Sequence, residues 1–200
     1  MKIYGLTGGT GSGKSEAGRR FSQAGIPVLD ADAIGHELLE STGPVRDSVL
    51  RVFGDGILTD GQIDREKLGA IVFGDADRRA TLNQIVHPAI RMEIGRRCAR
   101  LAEEGKHLAL IDAALLGENE RLDPFLSDLV LVLAPEEMRI DRLVRLRGLS
   151  DAEARRRIDA QTPPERKIAL ARWVIENTGT LEKLHEEVDR IAGELIRNGE

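Results

Sequence analysis

Residues 8–15 read Gly8-Gly9-Thr10-Gly11-Ser12-Gly13-Lys14-Ser15, and this stretch decides the fold. It matches the pattern GxxxxGK(S/T), and it lies between a short apolar run at residues 3–7 and a stretch with helical spacing. Glycines in such a loop let successive N–H groups point at phosphate oxygens, while the lysine neutralises them and the Ser15 hydroxyl can bind Mg²⁺. We therefore predict a loop that binds ATP or GTP, formed by Gly9, Gly11, Ser12, Gly13, Lys14 and Ser15.

Strands and helices alternate outside this loop. Short apolar runs at residues 26–29, 107–112, 129–133 and 173–176 predict further strands, and the two middle runs lack the polar alternation of a sheet with one wet face. The pattern indicates an α/β fold with a parallel sheet between two layers of helices. Ligands of such sheets bind beyond the carboxyl ends of the strands.

Two regions of the chain show helical spacing and no good strand. The spacing of apolar residues over 44–104 predicts three helices, broken by glycine-rich turns and at His87-Pro88. We interpret this region as a helical insertion. Residues 135–171 also predict helices, and they are rich in arginine. A last amphipathic helix is predicted over residues 181–196. Phe53, Phe73 and Trp173 are predicted core residues because the chain has few aromatic side chains.

Composition limits the class of protein. The 200 residues are 41% hydrophobic and 32% charged, which predicts a globular chain that forms one domain and neither crosses a membrane nor remains disordered. A net charge of −5 argues against a nucleic-acid partner held by a general basic field. Cys98 is the single cysteine, and we detect no leader segment, so a reducing cytoplasm is the expected location.

Carboxylates follow two of the predicted strands. Asp30 and Asp32 come after the second strand, and Asp32 is the candidate that would take a proton from an acceptor hydroxyl. The alternative is that one of the pair only caps the next helix. Asp112 ends the 107–112 strand, where a carboxylate can reach Mg²⁺, although a simple strand-end aspartate is an equal alternative.

Arginines crowd one predicted helix at positions 139, 142, 145 and 147. Such clusters bind phosphates, but a solvated, ion-paired face is the commoner reason for helical arginines. Together with the loop they favour an ATP-dependent kinase. The alternatives are another small-molecule or nucleotide kinase with the same core, and a non-catalytic nucleotide switch.

A series of further motifs carries a resemblance. In order they are GIPVLDADAIGHEL (25–38), DREKLGAIVF (64–73), LNQIVHPAI (82–90), DAALLGEN (112–119), RLVRLRGLS (142–150) and RIDAQTPPERKIALARWVIENTG (157–179). With the loop, this series resembles the dephospho-CoA kinase family almost from end to end. That family transfers the γ-phosphoryl group of ATP to the ribose 3′-hydroxyl of dephospho-CoA, the last step of coenzyme A synthesis.

The resemblance implies a P-loop kinase fold with a five-stranded parallel sheet. It implies one domain over residues 1–200, with a core at 1–43, 105–134 and 165–200, an acceptor-side insertion at 44–104 and a lid at 135–164. It implies dephospho-CoA and ATP as substrates. From the loop motif we expect Mg²⁺ as cofactor, and we expect a monomer or small homo-oligomer. The residues carried over are Glu16, Asn177 and Gly179 for ATP, Arg65 and His87 for the acceptor, Asp32 as the base and Arg142 as the lid arginine.

This chain departs from the family pattern at three places. Glu16 stands where a small hydroxyl residue is usual, and Ala113 to Glu118 lacks the usual proline and a bulky apolar residue. Leu146 occupies the position of a typical lid arginine, between Arg145 and Arg147, and we expect a neighbouring arginine to supply that charge.

Overall fold

The computed structural model describes residues 1–118 and 121–199, so Asn119, the last residue of the DAALLGEN stretch, lies outside the described residues. In chain order the strands are β1 (Lys2–Gly8), β2 (Val28–Asp30), β3 (Leu58–Thr59), β4 (Gln62–Ile63), β5 (Leu108–Asp112), β6 (Asp128–Leu133) and β7 (Trp173–Glu176). The main sheet has the order β2-β5-β1-β6-β7, and β1 pairs in parallel with both β5 and β6. The predicted five-stranded parallel sheet is confirmed.

Helices account for most of the remaining chain. They are α1 (Lys14–Gln23), α2 (Ala31–Glu40), α3 (Pro44–Phe53), α4 (Arg65–Phe73), α5 (Ala76–Glu103), α6 (Glu136–Arg147), α7 (Asp151–Asp159) and α8 (Leu181–Gly199). Short 3₁₀ helices lie at Asp55–Ile57 and Pro164–Leu170.

The chain divides into two compact units. One comprises Met1–Leu29 with Ala102–Glu200, and the other is Asp30–Leu101. The first unit contains the sheet, and its core joins β1, β5, β6 and β7 to the apolar faces of α1 and α8; Phe21, Leu110 and Ile191 are fully buried there. A smaller apolar cluster joins α6 to α7 through Ile140, Leu143, Ala154 and Ile158. The division into core, insertion over 44–104 and lid over 135–164 stays a prediction.

The helical unit shows where the sequence prediction was wrong. His87-Pro88 does not break the helix, since α5 runs through Pro88 without interruption. A proline removes one backbone hydrogen bond, but the turns on either side are held by the buried side chains of Val86, Ile94 and Cys98. Phe73 is also not a core residue, because it ends α4 and lies largely exposed while Ile71 and Val72 pack inward.

A β-hairpin that the sequence analysis missed lies in the same unit. β3 and β4 pair antiparallel across Asp60 and Gly61, which both have positive φ (51° and 77°). This is the geometry of a two-residue hairpin turn, for which Asp-Gly is a favoured pair. The strands are only two residues each, too short to show an alternating pattern.

Candidate functional site

The loop between β1 and α1 has the backbone geometry that its glycines predict. Gly11 and Gly13 have positive φ (78° and 96°), and Gly13, the N-cap of α1, offers no side chain to the N–H groups of the first helical turn. The loop closes with a hydrogen bond of 3.0 Å from the Ser12 amide to the Gly9 carbonyl. The first-turn N–H groups and the positive end of the helix dipole are therefore available to an anion.

Lys14 and Asp112 form an ion pair at the end of the sheet. Asp112 is the last residue of β5 and lies beside Leu6 of β1, two residues before the loop begins. The Lys14 ammonium group donates to Asp112 Oδ1, and the Asp112 carboxylate is almost fully buried. The structure thus brings together the lysine and the carboxylate that the sequence analysis proposed for phosphate and Mg²⁺.

Two arginines of α6 contact the loop backbone. Arg139 Nε donates to the Thr10 carbonyl at 2.9 Å, and Arg142 donates to the Gly11 and Ser12 carbonyls at 3.4 and 3.3 Å. Burial lowers the pKa of both guanidinium groups. By contrast, Arg145 and Arg147 are exposed, and Arg145 pairs with Asp141.

Asn177, the residue that follows β7, also contacts the loop and Arg142. Asn177 is buried, its side-chain amide donates to the Ser12 carbonyl at 2.8 Å, and its own carbonyl accepts from Arg142 at 3.1 Å. Gly179 follows in the turn before α8, where a Cβ would meet the Lys183 side chain at 2.9 Å. The loop, α6 and the β7 turn are thus connected by direct hydrogen bonds.

Glu16, the first departure from the family pattern, lies in the first turn of α1. Its carboxylate accepts from Arg19 Nε at 2.9 Å and lies 2.5 Å from His185 Nε2. The hydrogen bond from Arg19 is the largest cause that holds the pKa of Glu16 at about 2. The side chain is therefore occupied within the protein, and only the backbone N–H of this residue remains to act on phosphate.

The sequence analysis did not identify two candidate site residues, Gln161 and Lys167. The Gln161 side chain accepts a hydrogen bond of 2.7 Å from the Thr10 amide in the loop. The Lys167 ammonium group, 3% exposed as a side chain, donates to the Ala114 carbonyl and to Glu118 Oε1, both at 2.8 Å. Both residues belong to the QTPPERK stretch, but nothing in that stretch indicates which distant segments they contact.

The acceptor-side candidates lie on helices of the Asp30–Leu101 unit. Asp30 caps α2, accepting from the amides of Asp32 and Ala33 at 2.9 and 3.0 Å. The Asp32 side chain is exposed and makes no hydrogen bond or ion pair with any described residue. Arg65 begins α4, and His87 lies in the middle of α5; both are exposed.

Neither a metal cage nor a membrane span is present in the part of the chain that the structure describes. There, no three His, Cys, Asp or Glu side chains converge as metal ligands. None of the helices described there is both long and apolar enough to cross a bilayer.

Comparison with known proteins places the chain in a family. The family model for dephospho-CoA kinase matches residues 2–183. A dephospho-CoA kinase of Anaeromyxobacter dehalogenans is 41% identical over 196 residues, covering 98% of this chain and 92% of the relative. Among solved structures, TT1252 from Thermus thermophilus has a TM-score of 0.83 at 34% identity, with 97% of each chain covered. A dephospho-CoA kinase from Campylobacter jejuni, 24% identical with 97% of each chain covered, shares the fold with a TM-score of 0.64.

These matches span nearly the whole chain. The chain belongs to the dephospho-CoA kinase family.

Proposed function

We propose that this protein transfers the γ-phosphoryl group of ATP to the ribose 3′-hydroxyl of dephospho-CoA, giving CoA and ADP. The family assignment over residues 2–183 carries this proposal. The site supports it, because the loop that begins at Gly8 presents N–H groups and Lys14, and the Asp112 carboxylate at the end of β5 lies against that lysine. A non-catalytic nucleotide switch would have no use for a free carboxylate at Asp32.

Asp32 is the proposed base. Both Asp30 and Asp32 were candidates for capping α2, and Asp30 performs that task with its own carboxylate. The Asp32 carboxylate is left free of partners within the described residues, so it can accept the proton of the acceptor hydroxyl as the new P–O bond forms. Arg65 and His87 are proposed to hold the acceptor.

We assign the donor phosphates to Lys14. The Mg²⁺ ion that accompanies them is assigned to Ser15 and Asp112. Mg²⁺ normally binds through one or two carboxylates and substrate phosphates, so the Asp112 carboxylate and the Ser15 hydroxyl form a suitable donor set. When bound, Mg²⁺ neutralises the developing charge on the transferring phosphoryl group. In our mechanism Lys14 would turn from Asp112 to the β and γ oxygens of the nucleotide, and Asp112 with Ser15 would hold the ion.

The lid side of the donor site is assigned to Arg142, Asn177 and Gly179. Arg142 already joins the loop to the Asn177 carbonyl, so it can stabilise the transferred group without a large rearrangement. Asn177 and Gly179 are proposed to approach the adenine. We further propose a cytoplasmic protein, because its single cysteine, Cys98, cannot form an internal disulfide, and we propose that it is a monomer or a small homo-oligomer.

The test is an ADP-release assay with ATP and Mg²⁺ that compares dephospho-CoA, adenosine, AMP and no acceptor, with the product mass measured. We expect a gain of one phosphate on dephospho-CoA alone. No gain on dephospho-CoA would refute the proposed function.

Asp32→Asn tests the role of the base. We expect ATP affinity to stay nearly constant and kcat to fall by about 10²-fold or more. Asp30→Asn is the matched control, because asparagine caps helices about as well as aspartate and activity should stay within a few-fold. Equal kcat in Asp32→Asn and the wild type would exclude the base role.

A further inference from the structure

Arg139 is a buried cation at the nucleotide loop. It is 3% exposed, although most of its charged neighbours on α6 lie in solvent. Its Nε donates to the Thr10 carbonyl, and its guanidinium group lies against Gly9, where a Cβ would approach Nη2 within 2.7 Å. Gly9 therefore gives Arg139 access to the loop, and any larger residue at position 9 would displace it.

The charge of Arg139 is not balanced within the described part of the protein. Nη2 makes no hydrogen bond there, and Arg139 forms no ion pair with a described carboxylate. The carboxylates of Glu165 and Glu136 attract the guanidinium group at longer range and raise its pKa. Burial lowers the pKa of Arg139 by more than these two carboxylates raise it. Ser12 Oγ, another buried atom of the loop, is likewise without a partner.

An unpaired buried guanidinium group costs several kcal/mol, so it is usually retained where an anion completes it. The loop beside it is built to receive the polyphosphate of a nucleotide. We propose that the ATP polyphosphate is the counter-ion of Arg139, and that its guanidinium group turns towards the bound nucleotide so that Nη2 donates to one of the phosphate oxygens. This inference rests on the donor site of the proposed function and adds a residue to it.

The proposal also explains how this chain does without an arginine at position 146. Leu146 is exposed, and its two arginine neighbours at positions 145 and 147 are exposed as well. We had expected one of these neighbours to supply the missing charge. The structure shows instead that neither Arg145 nor Arg147 contacts the loop within the described residues. Arg139, two turns earlier on the same helix, supplies a positive charge at the loop itself.

Binding measurements on the whole protein test this assignment. The variants are Arg139→Gln, which removes the charge, Arg139→Lys, which keeps it, and Arg145→Gln, a control on the exposed face of the same helix. The readout is the ratio of the dissociation constants for adenosine and ATP, together with the melting temperature of each protein without nucleotide. A charge-assisted hydrogen bond contributes about 1.5–3 kcal/mol, which corresponds to roughly 10- to 150-fold in affinity.

We expect Arg139→Gln to lower that ratio at least tenfold, Arg139→Lys to restore part of it, and Arg145→Gln to leave it unchanged. The melting temperature without nucleotide should stay constant or rise in Arg139→Gln, because an uncompensated buried charge is removed. If Arg139 only braces the loop, adenosine and ATP affinities fall together, the ratio is unchanged and the proposal is refuted. Binding needs no acceptor, so this result is independent of whether the wild type phosphorylates dephospho-CoA.

Discussion

Lys167 forms a buried ion pair with Glu118, and Lys167→Met tests its importance. Its ammonium group is almost fully buried and makes two hydrogen bonds of 2.8 Å, to the Ala114 carbonyl and to Glu118 Oε1. Thr7 Oγ1 donates to the same carbonyl at 3.1 Å. These bonds fix the segment that follows Asp112, which is where the chain departs from the family pattern.

The size of the effect follows from what methionine leaves behind. Removing one partner of a fully buried ion pair costs about 3–5 kcal/mol. The Glu118 side chain is 26% exposed, so water can solvate part of its stranded charge, and the Ala114 carbonyl keeps its bond from Thr7. We therefore expect a loss of about 2–4 kcal/mol in the free energy of unfolding. For a chain of this length that corresponds to a melting temperature lower by roughly 4–16 °C.

Calorimetry on the purified variant measures this shift, and Lys106→Met is the matched control because Lys106 is exposed in the turn before β5. The double variant Lys167→Met with Glu118→Gln should lose less than the sum of the single losses, since the stranded carboxylate is then neutral. A melting temperature of Lys167→Met within about 2 °C of the wild type, or simple addition of the two losses, would show that this ion pair does not stabilise the fold.

Two smaller predictions concern the loop and the helical unit. Gly13→Ala should weaken ATP binding and destabilise the fold by more than Gly105→Ala; both sites have positive φ, but only at Gly13 would a Cβ collide with the Asn177 amide. Equal losses in melting temperature and unchanged ATP affinity would contradict the collision. Glu93→Gln tests a carboxylate whose pKa is lowered to about 2. The hydrogen bond from Arg96 is the largest cause of this lowering. The ionised Glu93 carboxylate stabilises the fold above the ordinary pKa of 4.5, and this stabilisation is lost as pH falls towards 2. In urea titrations the free energies of unfolding of wild type and variant should therefore converge only in acid.

The overall fold could be predicted from local patterns because its strands are buried on both faces. Apolar runs such as residues 107–112 and 129–133 have few alternatives to a covered parallel strand, and the glycine-rich loop fixes the order of the first strand and helix. The hairpin at residues 58–63 had a usable signal in Asp60-Gly61. Pro88 misled the prediction, because packing on both sides of the proline determines whether a long helix continues.

Most residues of the candidate donor site were identified from the sequence, while the long-range hydrogen bonds between them were not. Lys14 and Asp112 belong to segments about a hundred residues apart; the motif predicted a phosphate role for Lys14, and the strand end made Asp112 a candidate for Mg²⁺, but their ion pair was not predicted. Gln161 and Lys167 had no comparable signal, because a side chain that reaches a distant backbone group leaves no periodic pattern. The roles of Asp32, Arg65 and His87 remain predictions.

The order of the α6 arginines was encoded in the sequence, although spacing alone did not reveal it. Successive residues of an α-helix turn by about 100°, so steps of three drift by roughly 60° and spread positions 139, 142 and 145 over about 120°. The apolar stripe of the same helix contains Leu143, which lies about 40° from Arg139, 100° from Arg142 and 160° from Arg145. Burial decreases in that order, from a buried Arg139 through a half-buried Arg142 to an exposed Arg145. The arginine beside the apolar stripe is thus the one carried into the protein, and this is the reason to assign the buried charge at the loop to Arg139.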